Sequence, residues 1–312
     1  MRRLSLLLFF CLACESNSDA DKDTSEPAGA DGGEGADGGD GSDGADGGDG
    51  ADGGDGGDTG PEGSYSEGDC PQLVEGTNDF VSGGEERKVV VHLPDSPEGA
   101  PVIFAWHWLG GRANQIVSAL NLEALVADAG VIVVAPNSHN QPYEWDFIGG
   151  PDNNPDLLVF DDLLYCLDDQ FGVDRDRVTA TGMSAGGLWT TYLTMHRGAE
   201  LAASAPFSGG TFPGNYTSPG RTLPVLLTWG GPDDWYGELS FEESSEAFSQ
   251  ALRDDGHFVV ECVHDLGHTL PREAPAMVRD FLLVHDRTMT ESPWMAGLPE
   301  GTPDFCRIPG DG

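Results

Sequence analysis

From residue 86 onward, short apolar runs alternate with longer stretches whose apolar residues recur at helical spacing. Residues 87–93 (RKVVVHL), 101–106 (PVIFAW), 131–135 (VIVVA), 177–181 (RVTAT), 203–207 (ASAPF), 225–228 (VLLT) and 258–263 (FVVECV) read as strands. Ile116, Leu120, Leu122, Leu125 and Val126 predict a helix over 113–129. Leu157, Phe160, Leu163, Leu164 and Leu167 predict another over 156–170. Further helices are expected at 188–196, around 242–252 and at 274–284. Strands alternating with helices of this length predict right-handed βαβ units and a mostly parallel sheet covered on both faces. In such sheets ligands bind beyond the carboxyl ends of the strands.

The first sixty residues break this pattern. Residues 1–14, MRRLSLLLFFCLAC, set two arginines ahead of a short apolar run, which reads as a secretory signal too short to span a bilayer. The small residue before Cys14 resembles a bacterial lipobox, which predicts that Cys14 is lipidated and ties the protein to a membrane. Ordinary cleavage and full secretion is the alternative. Residues 31–60 contain 15 glycines, and 13 of the 40 residues from 21 to 60 are acidic. Almost nothing there is apolar, so ordering it cannot be offset by burial, and 15–63 is expected to be a disordered linker. Its A-D-G-G-D-G blocks lack the large apolar residue that calcium-binding β-roll repeats need. A single domain is then expected over 64–312.

The formal net charge of −39 is not confined to the linker, since 38 acids and 12 bases fall after residue 62. Such a field repels nucleic acid and anionic lipid, so neither is expected as a partner. Beyond Cys11 and Cys14, the cysteines are Cys70, Cys166, Cys262 and Cys306. In an exported chain they predict two disulfides with three possible pairings, and a Cys70–Cys306 clasp joining the ends of the domain is the favoured one. No C-x-x-C or Cys/His cluster suggests a metal, and no cofactor is called for.

The candidate chemistry begins at Thr181-Gly182-Met183-Ser184-Ala185-Gly186-Gly187. A G-x-S-x-G pattern is short and this chain is glycine-rich, so its context decides. Here it lies between a strand and a helix, where a tight turn would strain Ser184 and leave the Ala185 N–H as an oxyanion donor. An acid and then a histidine should follow in the chain. Asp233, in Trp229-Gly230-Gly231-Pro232-Asp233-Asp234, is the first choice for the acid, with Asp234 the fallback. Of His264 and His268, the second sits in the loop before the last helix and is the better base. The loop Trp106-His107-Trp108-Leu109-Gly110-Gly111 should supply a second oxyanion donor, Leu109 first and Trp108 next. His107 would brace that loop.

These residues, with Pro136, Trp145, Val173-Asp174 and Gly267-His268 ahead of Pro271, resemble over about 86–286 the α/β-hydrolase esterases grouped with polyhydroxybutyrate depolymerases and feruloyl or acetylxylan esterases. The resemblance implies an α/β-hydrolase fold, a Ser184–His268–Asp233 triad, and Leu109 and Ala185 as oxyanion donors. Two positions depart from the family pattern: Trp108 stands where glycine is usual, and Trp229 where histidine is usual. His107, Trp108, Trp145 and Trp229 are the candidate substrate-binding residues. With Trp106 and Trp235, the tryptophans could stack on sugars or phenolic acyl groups, or simply form buried pocket walls.

The expectation is an exported serine esterase acting on hydroxyalkanoate oligomers or on acyl and feruloyl esters of polysaccharide. A peptidase or amidase on the same fold, and a non-catalytic surface-binding lipoprotein, are the alternatives.

Overall fold

The apolar runs are strands buried on both faces, which is why they read as continuous rather than alternating. In the computed structural model, which describes residues 63–139 and 143–310, eleven strands and six helices follow in order. They are β1 (Gly76–Ser82), β2 (Glu85–His92), β3 (Val102–Trp106), α1 (Ala113–Ala119), α2 (Leu122–Ala129), β4 (Ile132–Pro136), α3 (Pro155–Phe171), β5 (Val178–Met183) and α4 (Ala185–Arg197). Then come β6 (Ala203–Phe207), β7 (Val225–Trp229), β8 (Trp235–Tyr236), β9 (Leu239–Ser240), α5 (Phe241–Asp254), β10 (Val259–Val263), α6 (Ala274–Leu282) and β11 (Cys306–Arg307). The signal sequence, Cys14 and the acidic linker lie outside the described residues.

One nine-stranded sheet runs β1-β2-β4-β3-β5-β6-β7-β10-β11. The six strands from β4 to β10 are parallel to one another, β2 and β11 run against them, and β1 pairs antiparallel with β2. Side chains alternate between two cores. Val102, Phe104 and Trp106 of β3 enter the layer that also holds Phe160, Trp189 and Phe248 from α3, α4 and α5. Ile103 and Ala105 enter the opposite layer, with Ile116, Leu125 and Phe281 from α1, α2 and α6. This period of two assigns the helices to their faces.

The expected helix over 113–129 is two helices. The chain breaks at Asn121, which takes a left-handed φ of 50° that asparagine tolerates better than most residues. Strand β1 escapes a hydrophobicity reading because two of its three buried positions, Asn78 and Ser82, are polar.

The disulfides correct the sequence expectation: Cys70 pairs with Cys166 and Cys262 with Cys306. A Cys70–Cys306 clasp would have to cross the sheet, because Cys306 sits on the β11 edge, opposite Cys262 in register. Cys70 instead belongs to a segment laid along α3. Ser66 bonds Asp162 through its N–H and hydroxyl, Cys70 meets Cys166, and Leu73 exchanges two bonds with the Gln170 side chain. Residues 162, 166 and 170 share one face of α3, so the three ties form a single seam.

Helix α3 is well capped. The Asn154 side chain accepts from the N–H groups of Asp156 and Leu157, proline opens the first turn, and Gly172 closes the helix at φ 54°.

Candidate active site

Ser184 falls between β5 and α4 with φ 59° and ψ −118°, a strained backbone for any residue but glycine. Its N–H donates to Phe207 O at 3.0 Å and its carbonyl accepts from Leu188 N at 2.8 Å, so the strain is held from both sides. The flanking glycines are required by close approach. A Cβ on Gly182 would lie 2.3 Å from Gly186 O, one on Gly186 would lie 2.0 Å from Trp106 O, and one on Gly187 would lie 2.2 Å from Phe207 O. Any side chain at these positions would push α4 off the ends of β3 and β6.

His268 Nε2 stands 2.9 Å from Ser184 Oγ, and its Nδ1 stands 2.6 Å from an oxygen of Asp234. The acid facing the histidine is therefore Asp234, not the expected Asp233. Residues 231–233 form one tight turn after β7, with the Asp234 N–H closing it onto Gly231 O. That turn leaves Asp233 exposed to solvent and turns Asp234, fully buried, back toward the sheet. The second Asp234 oxygen accepts from Gly230 N–H and from the Ser208 hydroxyl, both at 2.8 Å. Burial alone would raise the Asp234 carboxyl. The hydrogen bonds from His268, Gly230 and Ser208 outweigh it and hold the group below the usual carboxylate range. With an ionised Asp234 accepting from Nδ1–H, Nε2 is the bare nitrogen and accepts from the serine hydroxyl.

The acid and histidine loops touch backbone to backbone. A Cβ on Gly230 would lie 2.0 Å from Gly267 O, and Gly267 itself has φ 67°. On one side of His268, Phe241 stacks at 4.5 Å and 17°, holding the ring plane. Sequence reading missed Phe241 and Ser208, since neither lies in a motif. His264 is buried, accepts from Leu266 N–H at 3.3 Å, and meets Phe305 edge-on rather than facing Ser184.

The turn 107–111 lies across the pocket. Trp108 O accepts from Gly111 N–H at 2.9 Å and from His107 Nδ1–H at 2.8 Å. His107 Nε2 in turn accepts from Ser138 N–H at 3.0 Å. His107 is fully buried with both ring nitrogens used inside the protein, so it braces the loop and does not meet substrate. Burial lowers its pKa, against the pull of Trp108 O and Glu144. Gly110 N–H donates to Glu144 at 2.8 Å, and the Ser138 hydroxyl donates to the other Glu144 oxygen. These two bonds, followed by His107 and Arg112, overcome the larger effect of burial and lower the Glu144 pKa. The N–H groups of Leu109 and Ala185 have no acceptor among the described residues.

A pocket of about 370 Å³ opens above Ser184 and His268. Trp108, Leu109, Met183 and Leu270 line it with Tyr236 and Thr269. Of the candidate substrate-binding residues only Trp108 faces it. Trp145, 1% exposed, and Trp229, 2% exposed, are core residues. Trp145 packs edge-on against Trp106 and donates its Nε1–H to His107 O at 2.9 Å, while Trp229 ends β7. Both correct the expectation of pocket-facing rings. Trp235 and Tyr236 on the β8–β9 hairpin are exposed instead. Among the described residues no group of His, Cys, Asp and Glu could hold a metal, and no helix is long and apolar enough to cross a membrane.

No protein-family model matches the chain. It is 31% identical over 153 residues to feruloyl esterase C of Emericella nidulans, covering 46% of this chain and 53% of that one. Feruloyl esterase B of Thermothelomyces thermophilus is 31% identical over 150 residues, 45% and 50% of the two chains. A bifunctional acetylxylan esterase/xylanase of Neocallimastix patriciarum is 26% identical over 175 residues, 56% and 25%. The chain thus spans about half the length of the feruloyl esterases it matches. Among solved structures, native sOPH superposes with a TM-score of 0.63 at 19% identity over 78% of this chain and 97% of that one. A thermostable esterase gives 0.54 at 19% over 68% and 63%. With the strand order and the strained turn at Ser184, these likenesses give the fold as that of the α/β-hydrolases.

Proposed function

We propose that the chain is an exported serine hydrolase that cleaves carboxylic esters through Ser184, His268 and Asp234. The observation that carries this reading is the relay of 2.6 Å and 2.9 Å from Asp234 through His268 to Ser184. Ser184 Oγ attacks the ester carbonyl while Nε2 of His268 takes the hydroxyl proton, and Asp234 stabilises the imidazolium. The tetrahedral oxyanion is met by the N–H groups of Leu109 and Ala185. Nε2 then returns the proton to the departing alcohol oxygen. Water repeats the sequence on the acyl-enzyme and restores Ser184.

The substrates fitting this site are hydroxyalkanoate oligomers or acyl and feruloyl esters of polysaccharide. The apolar walls of the pocket and the exposed ring of Tyr236 on its lining support an acyl or phenolic group entering from solvent. The names of the feruloyl and acetylxylan esterases among the relatives point the same way. Lipidation of Cys14 would hold the enzyme at a membrane on its acidic linker. Cys14→Ser should move it to the soluble fraction, and continued membrane association would refute the anchor.

The test of the reaction is hydrolysis of p-nitrophenyl acetate and butyrate, with labelling by a fluorophosphonate. Ser184→Ala should lose labelling and at least about a thousandfold in kcat. Equal rates in the two proteins would sink the mechanism.

A further inference from the structure

Glu144 does something no motif announces. Among the described residues it is one of five non-glycine residues with positive φ, at 69°, and both oxygens of its carboxylate are spent on backbone and side chain around the turn 107–111. One oxygen takes the Gly110 N–H at 2.8 Å; the other takes the hydroxyl of Ser138. Ser138 is also the residue whose N–H donates to His107 Nε2. Glu144 and His107 thus hold the same turn from two directions, and Ser138 links them.

The consequence lies in the peptide planes. Trp108 C=O is pinned by His107 Nδ1–H and Gly111 N–H. A trans peptide points its N–H opposite to its C=O, so pinning that carbonyl aims the Leu109 N–H away from both donors. The next peptide, from Leu109 to Gly110, is pinned through its own N–H by Glu144. Leu109 sits between two fixed planes, and its φ and ψ are set with them. Gly110 itself has φ 72°, and a Cβ there would meet no atom within 4 Å, so no side-chain contact at that position restrains the turn.

The base under Glu144 is firm. Its neighbour Trp145 donates to His107 O, Asp146 N–H donates to the buried Asp156 carboxylate at 2.6 Å, and Asn154 donates to Asp146 O at 2.8 Å. Asp156 is paired with the equally buried Arg87 of β2. The strained φ of Glu144 is therefore carried by a loop anchored on α3 and the sheet.

We infer that Glu144 is a positioning residue for the oxyanion site: its carboxylate fixes the Gly110 peptide and thereby the direction of the Leu109 N–H. It touches no substrate and transfers no proton. The inference rests on the esterase reading above, and its test separates the two. Glu144→Gly removes the carboxylate and leaves a residue at ease at φ 69°, so folding is preserved. Glu144→Gln keeps an oxygen for Gly110 N–H and offers an N–H to Ser138 Oγ.

With p-nitrophenyl butyrate, the glycine variant should lose about tenfold to a hundredfold in kcat with KM within threefold, as expected for a misaimed oxyanion donor. Phenylboronic acid, whose tetrahedral adduct on Ser184 mimics the intermediate, should bind more weakly by the same factor. The glutamine variant should recover to within threefold of the wild type. A folded glycine variant with wild-type kcat and wild-type boronate affinity would overturn the inference, as would a glutamine variant as impaired as the glycine one. Failure of the esterase reading would look different: the wild type itself would show neither hydrolysis nor fluorophosphonate labelling.

Discussion

The turn at Ser184 and the turn at Trp108–Gly111 face the same pocket, yet different parts of the chain hold them. At Ser184 the constraint is local. Glycines within four residues let α4 approach the ends of β3 and β6 to distances no side chain would allow. At 107–111 the constraint is remote: Ser138, Glu144 and Trp145, some thirty residues on, supply the bonds. A locally built turn can be recognised from its own sequence, whereas one built by distant partners offers only permissive glycines as a signal.

The sharpest challenge to this contrast comes from the acid loop, which mixes both kinds of constraint. Asp234→Asn should preserve the fold but favour the wrong histidine tautomer, lowering kcat on p-nitrophenyl acetate by a factor on the order of 10⁴. Asp233→Asn, at a solvent-exposed position, should stay within about threefold of the wild type. A reversal of the two effects would mean that the loop is arranged differently in solution.

Next in size is Gly186→Ala. The new Cβ would meet Trp106 O at 2.0 Å, and backbone on both sides leaves no flexible group to yield. Destabilisation of about 4 kcal/mol or more is expected in urea unfolding, with loss of activity. A Gly186→Ala protein of wild-type stability would show that α4 can slide, and the local account of the elbow would fail.

Legibility in the sequence follows the same division. The parallel strands were readable because both faces are buried, which makes runs such as VIVVA apolar throughout. Ser184 was readable because the glycines beside it are demanded by close packing, and His268 because it lies in the loop between the strand ending near Val263 and the last helix. The acid was readable only to within one residue. Whether Asp233 or Asp234 turns inward depends on how the 231–233 turn closes, and the letters WGGPDD do not encode that. Trp145 and Trp229 looked like pocket residues because they lie in or near loops expected around the site. Their indoles turn into the core, through packing against Trp106 and Trp189 in the case of Trp145. The two expected disulfides form, but the favoured Cys70–Cys306 pairing failed because pairing depends on which sheet edge each end of the chain reaches, a property of the whole topology. The stacking of Phe241 on His268 was likewise hidden, since it joins the start of α5 to a loop 27 residues later.

Smaller effects sharpen the account of the oxyanion turn. Gly110→Ala meets no atom within 4 Å, so its cost is that of a left-handed backbone alone, about 1–2 kcal/mol. Trp145→Phe keeps most of the packing but removes the Nε1–H that His107 O accepts at 2.9 Å. It should cost about 1–2 kcal/mol in urea unfolding and lower kcat more than it raises KM. Both losses should fall well short of that at Gly186. If Gly110→Ala proved the more damaging, the turn would be confined by contacts as the elbow is.

The least of the expected effects is one of pH, and it bears on the 107–111 turn alone. Burial lowers the pKa of His107, so the folded protein keeps its ring neutral while the unfolded chain takes up a proton near the usual value of about 6.5. The stability this contributes is complete above that value and is lost as pH falls toward the folded pKa, by at most about 1.4 kcal/mol per pH unit. Buried His264 and His285 are shifted in the same direction and add to the slope. Protonating His107 Nε2 would also leave Ser138 N–H without its acceptor. Between pH 7 and pH 5, amides of 107–111 should therefore exchange with solvent faster relative to those of 184–188, whose own side chains carry no ionisable group. The carboxylates Asp234 and Glu144, both held below their usual range, should matter only at lower pH, where their protonation would unlock both turns together. Equal acceleration of the two turns already at pH 5 would show that acid loosens the whole sheet rather than the remotely braced turn.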